Sequence, residues 1–133
     1  MWWDTAEERR KTDPECIFCQ ILKGELPSAK VYSDDLVYAF ADISPMAKVH
    51  VLVIPRQHVT FLTESTPENE ELLGHMLRAG AWVAEQTGIA DSGYRLSINQ
   101  GINAGQLVDH LHLHVLGGEQ LMPLGETRVA TES

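Results

Sequence analysis

One ten-residue stretch, Asp109-His110-Leu111-His112-Leu113-His114-Val115-Leu116-Gly117-Gly118, constrains the fold more than any other, because polar and apolar side chains alternate through its centre. Successive side chains on a β-strand point to opposite faces. A strand here places His110, His112 and His114 on one face and Leu111, Leu113 and Val115 on the other, so one face carries chemistry and the other builds core. The chain has six histidines in 133 residues, and polar groups on a buried face are costly without partners. Imidazole either binds metal or acts as nucleophile and acid/base near neutral pH. Three ligands in a row along one strand converge on a tetrahedral ion only with considerable twist, and a purely structural run of histidines is the remaining alternative. Phosphorus chemistry fits best: an imidazole that attacks a phosphoryl centre forms a covalent intermediate and splits one hard displacement into two easier ones. His112 is the expected nucleophile, since it has a neighbour on either side to orient it. One ring nitrogen must then be bare, with the other donating to a fixed acceptor such as a backbone carbonyl.

The length suits one domain, and 44% hydrophobic residues suffice for one core. The formal charge is -9, from 10 Lys+Arg against 19 Asp+Glu, so the overall field repels nucleic acid. A small phosphate ligand can still bind through local donors. No stretch reads as a membrane span or a signal peptide, and a cytoplasmic location is expected. Cys16 and Cys19 are too few for a disulfide framework; in a reducing compartment they suggest metal or redox use.

Residues 1–13 read as a charged N-terminal extension, 14–125 as the domain and 126–133 as a tail. Asp13 as N-cap and Pro14 at the first position open a short helix reaching Leu22, with Gly24 beyond it. Lys30 to Ser33 and Leu36 to Ala41 read as strands joined at Ser33-Asp34-Asp35. Val49 to Ile54 is apolar on both faces, as a central strand is, and Pro55 ends it. Thr66 caps a long helix that runs to Thr87 before Gly88, with Leu72, Leu73, Met76, Leu77, Gly80, Val83 and Ala84 as its buried stripe. His75 beside that stripe reads as a surface or hydrogen-bonded core histidine. Tyr94 to Gln100 is a further strand, and the turn-forming residues 101–105 lead into the histidines. These elements make an α+β domain with about five antiparallel strands, one long helix and one short one.

The stretch His110 to Leu116 resembles the signature of the histidine triad family. Cys16-Ile17-Phe18-Cys19, Asp42-Ile43-Ser44-Pro45, Val53-Ile54-Pro55, Asn99, Gly105-Gln106 and Leu116-Gly117-Gly118 recur in the same order in its nucleotide-binding branch. The resemblance covers roughly residues 15 to 125. It implies that His112 is the nucleophile, that His114 contacts the α-phosphate or leaving group, and that Asn99 hydrogen-bonds the phosphate. Gly105, Gln106, Leu107 and Val108 lie on the approach, where the glycine loop can bring backbone N–H groups to an anion. Asp42 would accept the ribose hydroxyls, although alone it also suits a turn before Ser-Pro. Ile17, Phe18, Ile21, Phe40 and Ile43 match positions that sandwich a purine, although periodicity alone makes them ordinary core.

For the cysteines a redox role lacks its usual βαβ setting, which leaves reduced thiols in the core or a structural zinc site of two thiolates and two imidazoles. Some triad relatives hold such a zinc, and the matching residues here would be Cys16, Cys19, His50 and His110. His50 and His110 then position the site rather than transfer protons. His58 has only a weak functional claim. Leu107 departs from the serine common among close relatives, and Leu121-Met122 from a tryptophan near the partner's site. The expected activity is hydrolysis of purine nucleoside 5′-phosphoramidates through a nucleotidyl-His112 intermediate, with no metal needed at the phosphate and, by resemblance, a homodimer. Nucleotidyl transfer or dinucleoside polyphosphate cleavage is the alternative within enzymes, and a nucleotide-binding interaction protein is the alternative outside them.

Overall fold

The computed structural model describes residues 16–123. The N-terminal extension, the Asp13-Pro14 helix start and the tail from residue 126 lie outside the described residues.

Five antiparallel strands form one sheet in the order β1-β2-β3-β5-β4. They are β1 (Lys30–Ser33), β2 (Val37–Ala41), β3 (Val49–Pro55), β4 (Tyr94–Ser97) and β5 (Leu113–Gly117). A short helix α1 (Ile17–Leu22) packs on one face and a long helix α2 (Glu70–Gln86) on the other. The run Val49 to Ile54 is indeed the central strand. Val51 and Val53 join the α2-side core with Val37, Ala39, Met76, Val83, Leu113 and Val115, whereas Leu52 and Ile54 join the α1-side core with Phe18 and Phe40. Alternation along β5 therefore commits Leu113 and Val115 to α2 and His114 to the α1 side.

The turn between β1 and β2 is built by Asp34, whose carboxylate accepts the backbone N–H of Leu36 and Val37, both at 2.9 Å. Its other oxygen accepts the Tyr32 hydroxyl at 2.7 Å and meets His75 Nε2 on α2 at 2.7 Å. His75 is thus a hydrogen-bonded histidine that ties helix to hairpin. The first turn of the long helix, Pro67–Asn69, is 3₁₀ rather than α; Thr66 N–H donates to the Asn69 side chain at 2.9 Å. Gly88, at φ +80°, ends the helix in the left-handed conformation that glycine adopts freely. Gly80 lets α2 approach the sheet: a Cβ there would stand 3.0 Å from Leu96 and 3.1 Å from Leu113.

Two strands are shorter than expected. β4 stops at Ser97. β5 starts at Leu113, leaving His110 and His112 ahead of it. The ladder between β3 and β5 runs only from Val49↔Gly117 to Val53↔Leu113, because Pro55 has no N–H to continue it. Leu111 N–H donates instead to Val59 O. The alternation of faces survives this change of partner, since Leu111 remains in the α2-side core.

Candidate active site

His112 occupies the middle of the α1 face. Its Nδ1 lies 2.8 Å from the carbonyl oxygen of His110. A carbonyl only accepts, so Nδ1 carries the proton and Nε2 is left with a lone pair. The ring stands edge-on between Phe18 (centroids 5.2 Å apart, planes at 84°) and His114 (4.9 Å, 64°). Burial pushes the His112 pKa below the usual imidazole value, only partly offset by the His110 carbonyl, so the nitrogen stays bare at neutral pH.

A second chain of contacts fixes His114. The backbone N–H of Met46 donates to His50 Nδ1 at 3.0 Å, which places the His50 proton on Nε2. That nitrogen lies 2.9 Å from His114 Nδ1 and 3.5 Å from Asp42 Oδ2. His114 Nδ1 therefore accepts, its own proton sits on Nε2, and Nε2 is a buried atom with no hydrogen-bond partner among the described residues. An N–H in that state is a donor waiting for an acceptor. Burial, followed by the neighbouring His112 and His50, pushes the His114 pKa down to about 4, against the pull of Asp42. The same burial lowers that of His50. His112 thus offers a lone pair and His114 a neutral N–H.

The loop expected to cradle an anion is closed on itself. The N–H groups of Ala104 and Gln106 bond to Gly101 O, that of Gly105 to Ile102 O, and that of Gly101 to the Gln106 side chain. Gly101 and Gly105 have φ of +86° and +83°, so the glycines serve the turn geometry. Gln106 is spent in the same framework, its side-chain N–H groups bonding Val108 O and Thr60 O. Asn99 is half-buried at the entry to the loop, Val108 packs against the α1-side core, and Leu107 is 92% exposed. Asp42 acts as the turn aspartate weighed for it, Oδ1 accepting the Ser44 N–H at 2.8 Å, while Oδ2 faces His50. Of the positions matched to a purine sandwich, Ile17 and Ile43 are exposed, Ile21 is partly so, and Phe18 and Phe40 are buried.

The cysteine site needs a correction. Cys16 and Cys19 gather with His110 as expected, but the fourth residue is His58, not His50. His110 Nε2 lies 2.9 Å from Pro55 O, at the far end of β3 from His50. Five residues of strand span about 16 Å, so His50 and the His110 ring cannot share one ion. The separations are 3.4 Å from Cys16 Sγ to His110 Nδ1, 3.6 Å from Cys19 Sγ to the same nitrogen, and 3.3 Å from Cys19 Sγ to His58 Nδ1. Tetrahedral zinc, with Zn–S of about 2.3 Å and Zn–N of about 2.05 Å, sets S···N near 3.5 Å. The outer contacts fit as well. His110 Nε2 donates to Pro55 O, and His58 Nε2 meets Thr60 Oγ1 at 3.1 Å, so both Nδ1 lone pairs can point inward. Without a cation the Cys19 thiol and burial push the Cys16 pKa up; a bound divalent ion reverses that preference.

Asp42, His50 and His114 also lie close enough to hold an ion. Their protons argue otherwise, because the Met46 N–H occupies His50 Nδ1 and leaves Nε2 protonated. The sequence signal for His58 was faint: an isolated histidine three residues after Pro55, followed by buried Val59 and Thr60.

Comparison with known proteins agrees with this geometry. Residues 23–121 match the HIT domain family. The purine nucleoside phosphoramidase of Escherichia coli (strain K12) is 47% identical over 110 residues, covering 83% of this chain and 92% of that protein. A HIT family hydrolase from Clostridium thermocellum superposes with a TM-score of 0.82 at 47% identity, over 84% of this chain and 97% of that one. A histidine triad nucleotide-binding protein from Candida albicans does so with a TM-score of 0.69 at 35% identity, over 76% and 73%. With that family matched across most of its length and its triad histidines set beside one another, the chain belongs to the HIT family.

Proposed function

We propose that this protein is a hydrolase of purine nucleoside 5′-phosphoramidates that works through a nucleotidyl-His112 intermediate. The observation that carries the proposal is the 2.8 Å contact of His112 Nδ1 with the His110 carbonyl, which leaves Nε2 as a nucleophile at neutral pH. The name and 47% identity of the Escherichia coli relative support the substrate class, and the name of the Candida albicans relative supports a nucleotide ligand.

Nε2 of His112 attacks the α-phosphorus, and the P–N bond breaks. The amine departs with a proton taken from solvent at the phosphoramidate nitrogen. The His112 ring, still protonated at Nδ1, carries a positive charge that the His110 carbonyl stabilises. His114, neutral at working pH, donates its Nε2 hydrogen to a phosphoryl oxygen as charge develops there. Water then attacks the phosphorus, the P–His112 bond breaks, the monophosphate leaves and the water proton passes to solvent. Asp42, next to His50 and partly exposed, is the ribose acceptor in this reading, and Asn99 is a phosphate donor. Cys16, Cys19, His58 and His110 would hold a structural zinc, which would stiffen the site from outside the reacting groups.

His112→Ala should abolish turnover of an adenosine phosphoramidate while monophosphate still binds. Acid quench of wild-type enzyme during turnover, followed by peptide mass analysis, should place the nucleotide on the His112 peptide. Nucleotide on another residue, or full activity in the variant, overturns the assignment.

A further inference from the structure

We propose that Thr60 is a positioning residue for the thiol–imidazole cluster: its hydroxyl makes His58 a metal ligand, and its carbonyl ties that ligand to the loop ahead of the triad. The inference rests on the structural-zinc reading and not on which bond the protein cleaves. A histidine ligates through a bare ring nitrogen, so its proton must sit on the other one. For His110 the backbone makes that choice, because Nε2 faces Pro55 O at 2.9 Å and a carbonyl only accepts. For His58 the partner of Nε2 is a side chain, Thr60 Oγ1 at 3.1 Å. An Nε2 proton donated to that oxygen leaves the Nδ1 lone pair facing Cys19 Sγ, 3.3 Å away. His58 is 1% exposed and Thr60 2%, so water does not stand in for the hydroxyl. Without it, a proton on Nε2 would be a buried donor lacking an acceptor, which is costly. The proton would then favour Nδ1, where the ion belongs. Threonine suits the task because a β-branched side chain holds χ1, and with it the oxygen, in place.

The same short segment reaches the chain that carries the triad. Val59 O accepts the Leu111 N–H at 2.6 Å, and Thr60 O accepts Gln106 Nε2 at 3.3 Å. Gln106 Oε1 in turn accepts the Gly101 N–H at 2.8 Å. His58, Val59 and Thr60 thus form a strap that runs on after Pro55, where the ladder of β3 ends. Its first residue turns a ring to the thiols, its second holds the residue between His110 and His112, and its third holds the loop. An ion that fixes the His58 ring fixes one end of this strap, and Thr60 keeps ring and loop in register through its two oxygens.

The test sets Thr60→Val, which keeps the branched shape and deletes the oxygen, beside Thr60→Ser, which keeps the oxygen. Full-length protein stripped with a chelator is titrated with zinc against a chromophoric competitor. Thr60→Val should bind zinc about 10- to 100-fold more weakly than wild type, the usual cost of removing the partner of a ligating histidine, and Thr60→Ser should recover most of that loss. Imidazole ¹⁵N spectra of the zinc-loaded wild type should show His58 protonated at Nε2 alone. Stripping zinc from the wild type should also speed amide exchange at Leu111, the far end of the strap. Thr60→Ala serves if the valine variant does not fold. Wild-type affinity in Thr60→Val, no recovery in Thr60→Ser, or unchanged exchange at Leu111 overturns the proposal. A wild type that takes up no zinc defeats the zinc reading and the proposal together. One that loads zinc but cleaves no phosphoramidate defeats the hydrolase reading alone, and the titrations still decide the role of Thr60.

Discussion

At the scale of single residues, the site depends on histidines that stay neutral while lying within hydrogen-bonding distance of one another. His112 and His114 are both held below the usual value of 6.5, His114 at about 4. The acid limb of kcat/KM should therefore fall below pH 6.5, and a pH–rate profile checks it. Stability follows the same protons. The unfolded chain takes up a proton at His114 before the folded chain does, so stability present above pH 6.5 is lost as pH falls towards 4. Melting temperatures at pH 7, 5.5 and 4.5 should decrease in that order. Leu107 gives a second prediction. At 92% exposure it contributes nothing to the core, so Leu107→Ser should leave the melting temperature unchanged. If the serine hydroxyl reaches the reacting group only in the transition state, it adds roughly 1.5–3 kcal/mol, one to two decades in kcat, with little change in monophosphate affinity. A variant no faster than wild type removes position 107 from the reaction. The alternation around residues 110 to 114 made the triad legible in the sequence. The partnership of His58 was not, because it depends on where the chain turns after Pro55, and His50 drew the assignment by being matched to the strand histidine that holds zinc in some triad relatives.

At the scale of elements, α1 is the least self-sufficient piece. Its N-cap is Cys16 itself, whose sulfur accepts the Cys19 N–H at 3.4 Å, so the residue that starts the helix also helps gather the thiol–imidazole cluster. Purified protein should carry about one zinc per chain by elemental analysis, and Cys16→Ser should lose both the zinc and several degrees of melting temperature. A metal-free wild type of unchanged stability returns the thiols to simple core packing. The central strand and the long helix were readable because their apolar periods are long and their ends marked by Pro55, Thr66 and Gly88. The ends of β4 and β5 were not: β5 starts at Leu113 because Pro55 on the neighbouring strand has no N–H to continue the ladder, and β4 stops at Ser97 opposite His114, and both depend on pairing across the sheet.

At the scale of the whole molecule, β1 and β4 are the sheet's two edges among the described residues. An edge presents unbonded N–H and C=O groups to any strand that arrives beside it. A homodimer formed along β4 would cover one such edge, and sedimentation should then give twice the 14.8 kDa chain mass; a single chain mass at micromolar concentration excludes it. The order β1-β2-β3-β5-β4 also sets a timetable for the nascent chain. Three consecutive strands can zip together through short turns before any residue of the triad has been synthesised. His50 and Asp42 then wait, already placed, while 50 and more residues are added, and His114 reaches them only when β5 slots in beside β3. Closing that long loop is slow compared with forming a hairpin. The candidate site is thus completed last, so a half-made chain can hold much of its sheet while the partner of His50 is still missing.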